Sequence, residues 1–475
     1  MSGLKDRMVD HFCKVFNDCH LFILLSNKLI FSGLIFIFDV HYLIKPSRMK
    51  NYKIFLEEHK MRADDVNINL IVELFTSEML KGLEGKESTL RMIPTYIEAD
   101  NQFLTGVPVV AVDAGGTNFR AALVEFNVTG KLEISNLMNA KMPGLEGEIS
   151  KAEFFKTIAD YIKPIAELSE RIGFCFSYPT EILPDKDGKL LQFCKEVQAP
   201  EVVGELIGKN LLETLGMPEK QIVLLNDTVA TLLAGKSASF GREYDSFIGY
   251  ILGTGTNTCY IENNRNILKL KSLDKAKSQI INIESGAFGK VPQTDIDIAF
   301  DNTTVNPGNY KFEKMFAGGY FGGLCLMTLK SAAKEGVFTG TVVSAIMSLK
   351  ELSSEDVNNF VSNPGSGCGP LHNIMKDKAD EEKCIEIIEC LIDRSAKLVA
   401  ANMAAVILKT NKGKSAQRPI LITIEGTTFY KMHKLRSYFE VYLKDYLKEE
   451  RLRFYKFTEV QQSSLVGAAL AALIN

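Results

Sequence analysis

Short runs of β-branched and apolar residues, bounded by turn formers, begin at Val107. The runs read VPVVAV, AALVEF and KLEISNLM, with a glycine turn between the first two. Such runs are typical of strands, so we predict three strands that form an antiparallel unit. Residues 152–168 then carry apolar side chains at helical intervals, and RIGFCFS has the pattern of a buried strand. The predicted order is therefore β-β-β-α-β.

A related pattern returns in the middle of the chain. It predicts a short strand, IVLLN, a helix, TVATLLAG, a buried strand, SFIGYIL, a glycine turn, GTGTN, and two more strands, TCYIE and NILKL. The chain thus contains two strand-turn-strand units, one around Asp113–Asn118 and one around Gly253–Asn257. A duplication of this kind predicts two related lobes that face each other across a nucleotide.

The last third of the chain is predicted to be mainly helical. EEKCIEIIECLIDRSAKLVAANMAAVILKT has the pattern of a long helix that is buried on one face, and SNPGSGCGP at 362–370 that of a loop between helices. RPILITIEGTTFYK predicts a strand that ends in a glycine turn. SSLVGAALAALIN predicts a closing helix.

The first 48 residues differ in character from the rest. Residues 21–44 are unusually apolar, but polar residues interrupt them, and the longest clean run, Leu29–Phe38, is too short to span a bilayer. They also lack the layout of a secretory signal. We expect residues 1–48 to be an extension outside the fold, which would begin at Met49. A membrane-surface anchor is the alternative, but apolar residues on every side of the projected helix disfavour it.

Size and composition limit the possible classes of function. A chain of 475 residues exceeds what one core usually serves, which favours two lobes. Its 55 Lys plus Arg against 58 Asp plus Glu give a net charge of -3, so no bulk positive field exists to hold nucleic acid or an anionic membrane, and we expect no stable membrane insertion. Nine scattered Cys and six His without ligand spacing argue against disulfides and zinc sites. We therefore expect a cytoplasmic protein, and its oligomeric state stays open.

Two glycine turns carry the first candidate chemistry. Asp113-Ala-Gly-Gly-Thr-Asn-Phe-Arg120 directly follows a buried strand, and Gly253-Thr-Gly-Thr-Asn257 follows another. Glycines let backbone N–H groups approach a polyphosphate, although a plain hairpin also uses them. Two such turns in matching contexts favour phosphate binding, with Asp113 facing the metal ion that accompanies the phosphates.

Asn226-Asp227-Thr228 lies where a predicted strand ends and a helix begins. Asn and Asp are among the best helix-capping residues, so a purely structural role is one interpretation. The carboxyl end of a strand is also where open α/β sheets place catalytic groups, and an Asp there accepts the proton of an attacking hydroxyl.

These motifs together resemble the hexokinase family. The resemblance rests on Asp113-x-Gly-Gly-Thr-Asn-x-Arg, Phe176-Ser-Tyr-Pro, Asn226-Asp-Thr-Val, Gly253-Thr-Gly-Thr-Asn, Glu284-x-Gly-Ala-Phe-Gly and Asn306-Pro-Gly-x-x-x-Phe-Glu-Lys314, in that order, and extends from about residue 52 to the C-terminus. It implies an α/β, actin-like ATPase (ribonuclease H-like) fold with two lobes around a central cleft. The small lobe would comprise 107–225 plus 463–475, and the large lobe 49–106 plus 226–462.

The resemblance also implies the reaction and its residues. The protein would phosphorylate the 6-hydroxyl of glucose or a related hexose with Mg-ATP, with Asp227 as general base and Lys195 as a catalytic residue that stabilises charge. Positions that contact the sugar would be Ser177, Lys195, Asn226, Asp227, Asn257, Glu284 and Glu313. Positions that contact ATP would be Asp113, Gly115, Gly116, Thr117, Asn118, Arg120, Thr254, Gly255, Gly426, Thr427 and Ser464. Mg²⁺ would come with ATP and lie near Asp113 and Asp227, without a direct protein ligand.

The chain departs from the family pattern at four places. The family's Trp-Thr-Lys is Phe193-Cys-Lys195 here, which replaces a sugar-contacting hydroxyl with a weaker thiol partner, and its Glu-Trp is Glu284-Ser285, which we expect to enlarge the pocket. Asp-Gly-Ser/Thr is Glu425-Gly-Thr, and Gly-Ser-Gly-x-Gly is Ser463-Ser-Leu-Val-Gly.

Alternatives follow from these departures. The protein could be a non-catalytic sugar sensor, which the intact Asp227, Lys195 and both turns disfavour. It could also be a kinase that prefers mannose, fructose or N-acetylglucosamine. An actin-like structural or chaperone ATPase would share the fold, but would have no use for the sugar positions together.

Overall fold

The computed structural model describes residues 50–98, 102–193, 197–239 and 241–474, together with the backbone of two short strands near the N-terminus. Those strands, β1 (Leu29–Phe31) and β2 (Leu34–Phe36), pair antiparallel within a compact unit that comprises Met1–Lys50. A second compact unit comprises Asn51–Asn475. That residues 1–48 are dispensable stays a prediction. Within the described ranges, no helix is both long and apolar enough to cross a bilayer.

The second unit contains strands and helices in alternation. Its described strands are β3 (Ile93–Pro94), β4 (Val109–Ala114), β5 (Asn118–Phe126), β6 (Leu132–Lys141), β7 (Arg171–Phe176), β8 (Thr180–Ile182), β9 (Gly188–Leu190), β10 (Gln221–Leu225), β11 (Ser246–Leu252), β12 (Thr256–Asn263), β13 (Ser278–Asn282), β14 (Ile420–Glu425) and β15 (Tyr455–Thr458).

Its described α-helices are α1 (Tyr52–Glu58), α2 (Ile68–Glu84), α3 (Lys151–Ala166), α4 (Ile207–Leu215), α5 (Asp227–Ala238), α6 (Asp295–Asp301), α7 (Lys311–Lys314), α8 (Phe321–Lys334), α9 (Gly340–Ser348), α10 (Ser354–Ser362), α11 (Pro370–Ile374), α12 (Lys378–Thr410), α13 (Thr427–Lys431), α14 (Leu435–Tyr446) and α15 (Ser463–Leu473). The long helix, the loop at 362–370 and the closing helix are therefore confirmed.

One sheet has five strands in the order β10-β7-β4-β5-β6. Strands β4, β5 and β6 are antiparallel, whereas β7 lies parallel to β4 and β10 parallel to β7. All side chains of β4 are buried, as its unbroken apolar run predicts for a central strand. The β-β-β-α-β prediction is confirmed. All five strands lie within 107–225, although the exact lobe boundaries stay a prediction.

The other large sheet has six strands in the order β15-β14-β11-β12-β13-β3. Strand β11 pairs antiparallel with β12 across the GTGTN turn and parallel with β14. Strand β4 has the same two kinds of neighbour in the first sheet, antiparallel β5 and parallel β7. The repeated strand-turn-strand architecture is thus present.

The strand predicted at NILKL is wrong. The chain forms a 3-10 turn at Asn264–Asn266, and the N–H of Ile267 donates to the carbonyl oxygen of Asn264 at 3.1 Å. Ile267 is buried, whereas Leu268 is 60% exposed. The short apolar pattern comes from a local turn with one buried side chain, not from a strand. The strand that pairs with β12 at this edge is β13.

Helix α15 packs between the five-stranded sheet and α5. A Cβ on Gly173 of β7 would lie 1.9 Å from the carbonyl oxygen of Ala468, and one on Gly467 would lie 2.0 Å from that of Ala230 in α5. These contacts are possible only between backbones without side chains. They hold the middle of β7 and the first turn of α5 against α15; the candidate site residue Ser177 directly follows β7, and Asp227 begins α5.

Candidate active site

A cleft of about 870 Å³ lies at the carboxyl ends of strands from both large sheets. This is the edge at which α/β folds bind ligands. Most candidate nucleotide positions line it, together with Asp227 and Ser177; the lining residues are Asp113, Gly115, Gly116, Thr117, Asn118, Arg120, Asn139, Ala140, Ser177, Asp227, Ile251, Thr254, Glu425, Gly426 and Ser464. The structure therefore brings both predicted turns to one cavity.

Asp113 ends the central strand of the five-stranded sheet and is almost fully buried. Burial raises the pKa of Asp113, the nearby Asp227 raises it further, and Arg120 opposes both effects. No group of three or more His, Cys, Asp and Glu side chains suited to a metal occurs in the described part of the chain.

The first glycine turn is closed by its own backbone and by Tyr178. The N–H of Gly115 donates to the carbonyl oxygen of Asn118 at 2.9 Å. The hydroxyl of Tyr178 lies 2.9 Å from the carbonyl oxygen of Gly115 and 3.1 Å from that of Gly116. Tyr178 belongs to the Phe-Ser-Tyr-Pro motif, but its support of this turn was not foreseen.

The second glycine turn is packed too closely for side chains. A Cβ on Gly255 would lie 2.6 Å from Oε2 of Glu313. Gly426, beside this turn, has a φ of 121°, and a Cβ there would lie 2.2 Å from the carbonyl oxygen of Leu252. Glycine is required at Gly426, where the neighbour is backbone and φ is positive, whereas a side chain at Gly255 would displace the Glu313 carboxylate.

Asp227 is the first residue of α5, and Asn226 caps that helix. The Oδ1 of Asn226 accepts the N–H of Thr228 at 2.9 Å, so the capping interpretation is correct. It does not exclude a functional role, because the half-buried Asp227 also lines the cleft. Its carboxylate stands at the carboxyl end of β10, where a base can meet a substrate hydroxyl.

A cluster of amides and carboxylates adjoins Asp227. Nδ2 of Asn257 lies 2.8 Å from Oδ1 of Asn282, 3.3 Å from Oε1 of Glu284 and 3.4 Å from Oδ1 of Asn226. Asn226, Asn282 and Glu284 also line a small cavity of about 20 Å³. Burial raises the pKa of Glu284; Asn282 and Arg91 oppose the rise, and Asp227 adds to it.

Glu313 contacts the second glycine turn close to this cluster. Its Oε2 accepts the backbone N–H of Thr256 at 2.8 Å. The side chain comes from the short helix α7, far from the turn in sequence. The contact places Glu313 beside Gly255. Its partner Thr256 directly precedes Asn257, which is also a predicted sugar contact.

Some predicted residues do not line the large cleft. Thr427 begins α13 and is exposed, outside the lining set. Gly255 lies within its turn but does not line the cleft either. Lys195 and Cys194 lie outside the described residues, so their predicted roles stay predictions.

The expectation that Ser285 enlarges the pocket is wrong. Ser285 is fully buried, its hydroxyl lies 3.1 Å from that of Thr258, and it does not belong to the lining of either cavity. The side chain is thus part of the packed interior rather than of the cavity wall.

The sequence prediction missed two residues of the site. Asn282 bridges Asn257 and Glu284, and its position at the end of a buried strand was the available signal. Glu425 lines the cleft and accepts hydrogen bonds from Thr231, at 3.1 Å, and from Ser463. Burial raises the pKa of Glu425; Ser463 opposes the rise, and Asp227 adds to it.

Comparisons with known proteins identify the family of the chain. Two family models, each described as hexokinase, match residues 54–237 and 247–474. Hexokinase-1 of Schizosaccharomyces pombe is 29% identical over 433 residues, which cover 86% of this chain and 87% of that protein. Hexokinase-3 of Rattus norvegicus is 28% identical over 380 residues, which cover 75% of this chain and 40% of that protein.

A solved structure agrees at the level of the fold. A hexokinase from Schistosoma mansoni, complexed with glucose, is similar with a TM-score of 0.70 and 23% identity, and the match covers 89% of this chain and 98% of that one. The predicted actin-like ATPase fold is confirmed.

Proposed function

Because the chain belongs to the hexokinase family and is an ATP-dependent hexose kinase, we propose that Asp227 is its general base and that the 6-hydroxyl of glucose is its acceptor. The observation that carries the proposal is that Asp227 and residues of both glycine turns line one cleft, while Asn226, the neighbour of Asp227, belongs to the adjoining amide-carboxylate cluster. Phosphate-binding turns and hydroxyl-binding groups must lie next to each other if a phosphoryl group is to pass between two substrates.

In the proposed reaction, the 6-hydroxyl oxygen attacks the γ-phosphorus of ATP. The bond from that phosphorus to the β,γ-bridging oxygen breaks, the new O–P bond gives hexose 6-phosphate, and ADP leaves. Asp227 accepts the hydroxyl proton. Its place at the start of α5, with Asn226 capping the helix beside it, holds the carboxylate at the cleft wall.

The nucleotide is proposed to bind across both turns. Gly115, Gly116, Thr117 and Asn118 would hold phosphates from one side and Thr254 and Gly255 from the other, while Gly426, Thr427 and Ser464 would contact the nucleoside. Mg²⁺ bound to ATP would offset the phosphate charge, near Asp113 and Asp227. The Asp113–Arg120 ion pair leaves this wall of the cleft with both signs of charge, which suits a metal-bound polyphosphate.

The hexose is proposed to bind at the amide-carboxylate cluster. A sugar hydroxyl both donates and accepts hydrogen bonds, so amides and carboxylates suit it, and a missing hydroxyl would leave a buried group unpaired. The proposed contacts are Ser177, Asn226, Asn257, Glu284 and Glu313, with Lys195 as a further contact and a source of positive charge. Cys194 would weaken one hydroxyl contact.

A cytoplasmic location is part of the proposal. All six cysteines in the described residues are free thiols, which fits a reducing compartment. The hexose is the proposed partner, and no nucleic acid is expected.

The experiment is a coupled assay of ADP release with Mg-ATP and glucose, mannose, fructose, galactose, glucosamine or N-acetylglucosamine. Hexose-dependent release that Asp227→Ala abolishes would support the proposal, and the panel would identify the preferred sugar. Hexose binding by calorimetry without ADP release would indicate a sugar sensor instead. ADP release that no sugar stimulates would indicate an actin-like ATPase.

A further inference from the structure

Three polar side chains form a buried chain behind the proposed hexose site. Asn402, on the long helix α12, donates from Nδ2 to Oγ1 of Thr258 at 2.9 Å. That hydroxyl lies 3.1 Å from Oγ of Ser285. All three residues are 0% exposed, so the chain does not touch a ligand directly. We call Asn402, Thr258 and Ser285 the buried triad.

Each of two triad members directly follows a proposed hexose contact. Thr258 follows Asn257, and the backbone N–H groups of Thr258 and Ser285 both donate to Oδ1 of Asn257, at 2.7 and 3.2 Å. Two backbone donors fix which end of this amide is oxygen. The Nδ2 of Asn257 must then face Asn282 and Glu284, where the hexose is proposed to bind.

Ser285 follows Glu284, whose backbone is unusual. Glu284 has a φ of 61°, a left-handed conformation that residues with side chains rarely adopt. Such conformations persist where the surroundings hold them, and they concentrate at functional sites. The hydroxyl contact between Ser285 and Thr258 ties the backbone after Glu284 to strand β12.

The stability of the fold alone does not explain why the buried triad is polar. The Oδ1 of Asn402 is buried and has no hydrogen-bond partner among the described residues. An unpaired buried amide oxygen is unfavourable, and an apolar side chain of similar size would avoid that cost. This observation favours a role for Asn402 other than packing.

We infer that the buried triad positions Asn257 and Glu284 for hexose binding by linking α12 to the two backbone segments that carry them. The inference rests on the proposed function, since the hexose is placed at those residues. The polar Ser285 thus serves to hold the site in shape, in the place where the family pattern has a large aromatic residue.

The test compares steady-state kinetics of Asn402→Leu, Thr258→Val and Thr258→Ser with those of wild type. Loss of either hydrogen bond is expected to raise the KM for hexose about tenfold while the KM for ATP stays within about twofold. Thr258→Ser keeps the hydroxyl and is expected to recover most of the hexose affinity that Thr258→Val loses. Thermal unfolding of each variant accompanies the kinetics.

The matched control is Ser395→Ala, on the same helix. Ser395 is buried and donates to the carbonyl oxygen of Leu391 at 2.7 Å, outside the site. If Asn402→Leu keeps the hexose KM of wild type, whatever its thermal midpoint, the inference is overturned. Equal hexose KM values for Thr258→Val and Thr258→Ser would overturn it as well.

Failure of the proposed function would look different. In that case wild type itself would show no hexose-dependent ADP release. Calorimetric titration of wild type and Thr258→Val with glucose would then decide the inference: weaker binding to the variant would support it, and equal binding, or none to either protein, would reject it.

Discussion

Arg120 donates two hydrogen bonds to the same carboxylate oxygen of Asp113, from Nε at 2.9 Å and from Nη2 at 2.5 Å. The two residues face each other directly across strands β4 and β5. The hairpin that forms the first glycine turn therefore also places an ion pair at the cleft wall. Asp113 is buried and raised in pKa by that burial, so Arg120 is the group that favours its charged form.

Arg120→Met should remove the positive charge that favours the ionised form of Asp113. We expect the KM for ATP to rise at least about tenfold and the free energy of unfolding to fall by about 1–3 kcal/mol, because the buried Asp113 loses its partner while Arg120 itself is one-third exposed. Hexose binding, measured by calorimetry without nucleotide, should change little. The control is Arg436→Met, whose pair with Glu440 is exposed on one helix. Equal effects of the two substitutions would contradict the assignment of Arg120.

Asp227→Ala should lower kcat by about 10²- to 10⁴-fold, as expected when a general base is removed. Hexose affinity should be nearly unchanged, because the amide-carboxylate cluster that would bind the sugar remains. ADP release gives kcat, and calorimetry gives the affinity. Asp445→Ala, at an exposed carboxylate near the end of α14, controls for loss of charge. Near-normal turnover of Asp227→Ala would rule out its role as the base.

Gly255→Ala should damage both substrate sites at once. The new methyl group would lie 2.6 Å from Oε2 of Glu313, so either the turn or that side chain must move. We expect the KM values for ATP and for hexose to rise together. Gly340→Ala is the matched control, because a Cβ there meets no atom within 4 Å and its φ is not positive. If only one KM changes, Glu313 does not connect the two sites.

His59 links three helices through two carboxylates. Its Nδ1 lies 2.6 Å from Asp295 and its Nε2 2.7 Å from Glu335, so both ring nitrogens can donate only when the ring is protonated. Burial lowers the pKa of His59, but the hydrogen bonds to Glu335 and Asp295 outweigh it, and the pKa lies above 6.5.

A raised histidine pKa stabilises the fold below the unfolded pKa, and this contribution is lost as pH rises through the folded value. We expect the stability advantage of wild type over His59→Leu, from thermal unfolding between about pH 5.5 and 8.5, to be largest at the acidic end and to shrink above about pH 6.5. Glu335→Gln should weaken the trend. A stability difference that does not depend on pH would show that His59 acts by packing alone.

The sequence predicts elements well where one pattern decides them. The unbroken apolar run of β4 and the helical spacing of α3 each specify a single structure. The strand predicted at NILKL is absent because five residues fit either a strand or a turn with one buried side chain. Ser285 could not be predicted because its surroundings include Asn402, which lies 117 positions further along the chain.

Contacts between residues that are distant in sequence also explain which site residues were predicted and which were missed. Asp227 and the glycine turns belong to local motifs whose residues are contiguous in the sequence. Asn282 and Glu425 have roles only through contacts with Asn257, Thr231 and Ser463, which folding brings together. A sequence pattern does not contain such distances.

Deleting residues 1–48 should leave folding and activity intact. The second compact unit begins at Asn51, whose side chain accepts the N–H of Lys53 at 2.8 Å and so caps α1. Phe55 and Leu56 of that helix are buried in the main core. A chain that begins at Met49 keeps all these contacts. Its thermal midpoint and its kcat for hexose-dependent ADP release should therefore match those of the full chain.

A chain that begins at His59 loses both apolar side chains and should lose about 3–5 kcal/mol or more of stability. If the Met49 chain is insoluble or inactive, the first 48 residues are needed by the protein and the prediction is wrong.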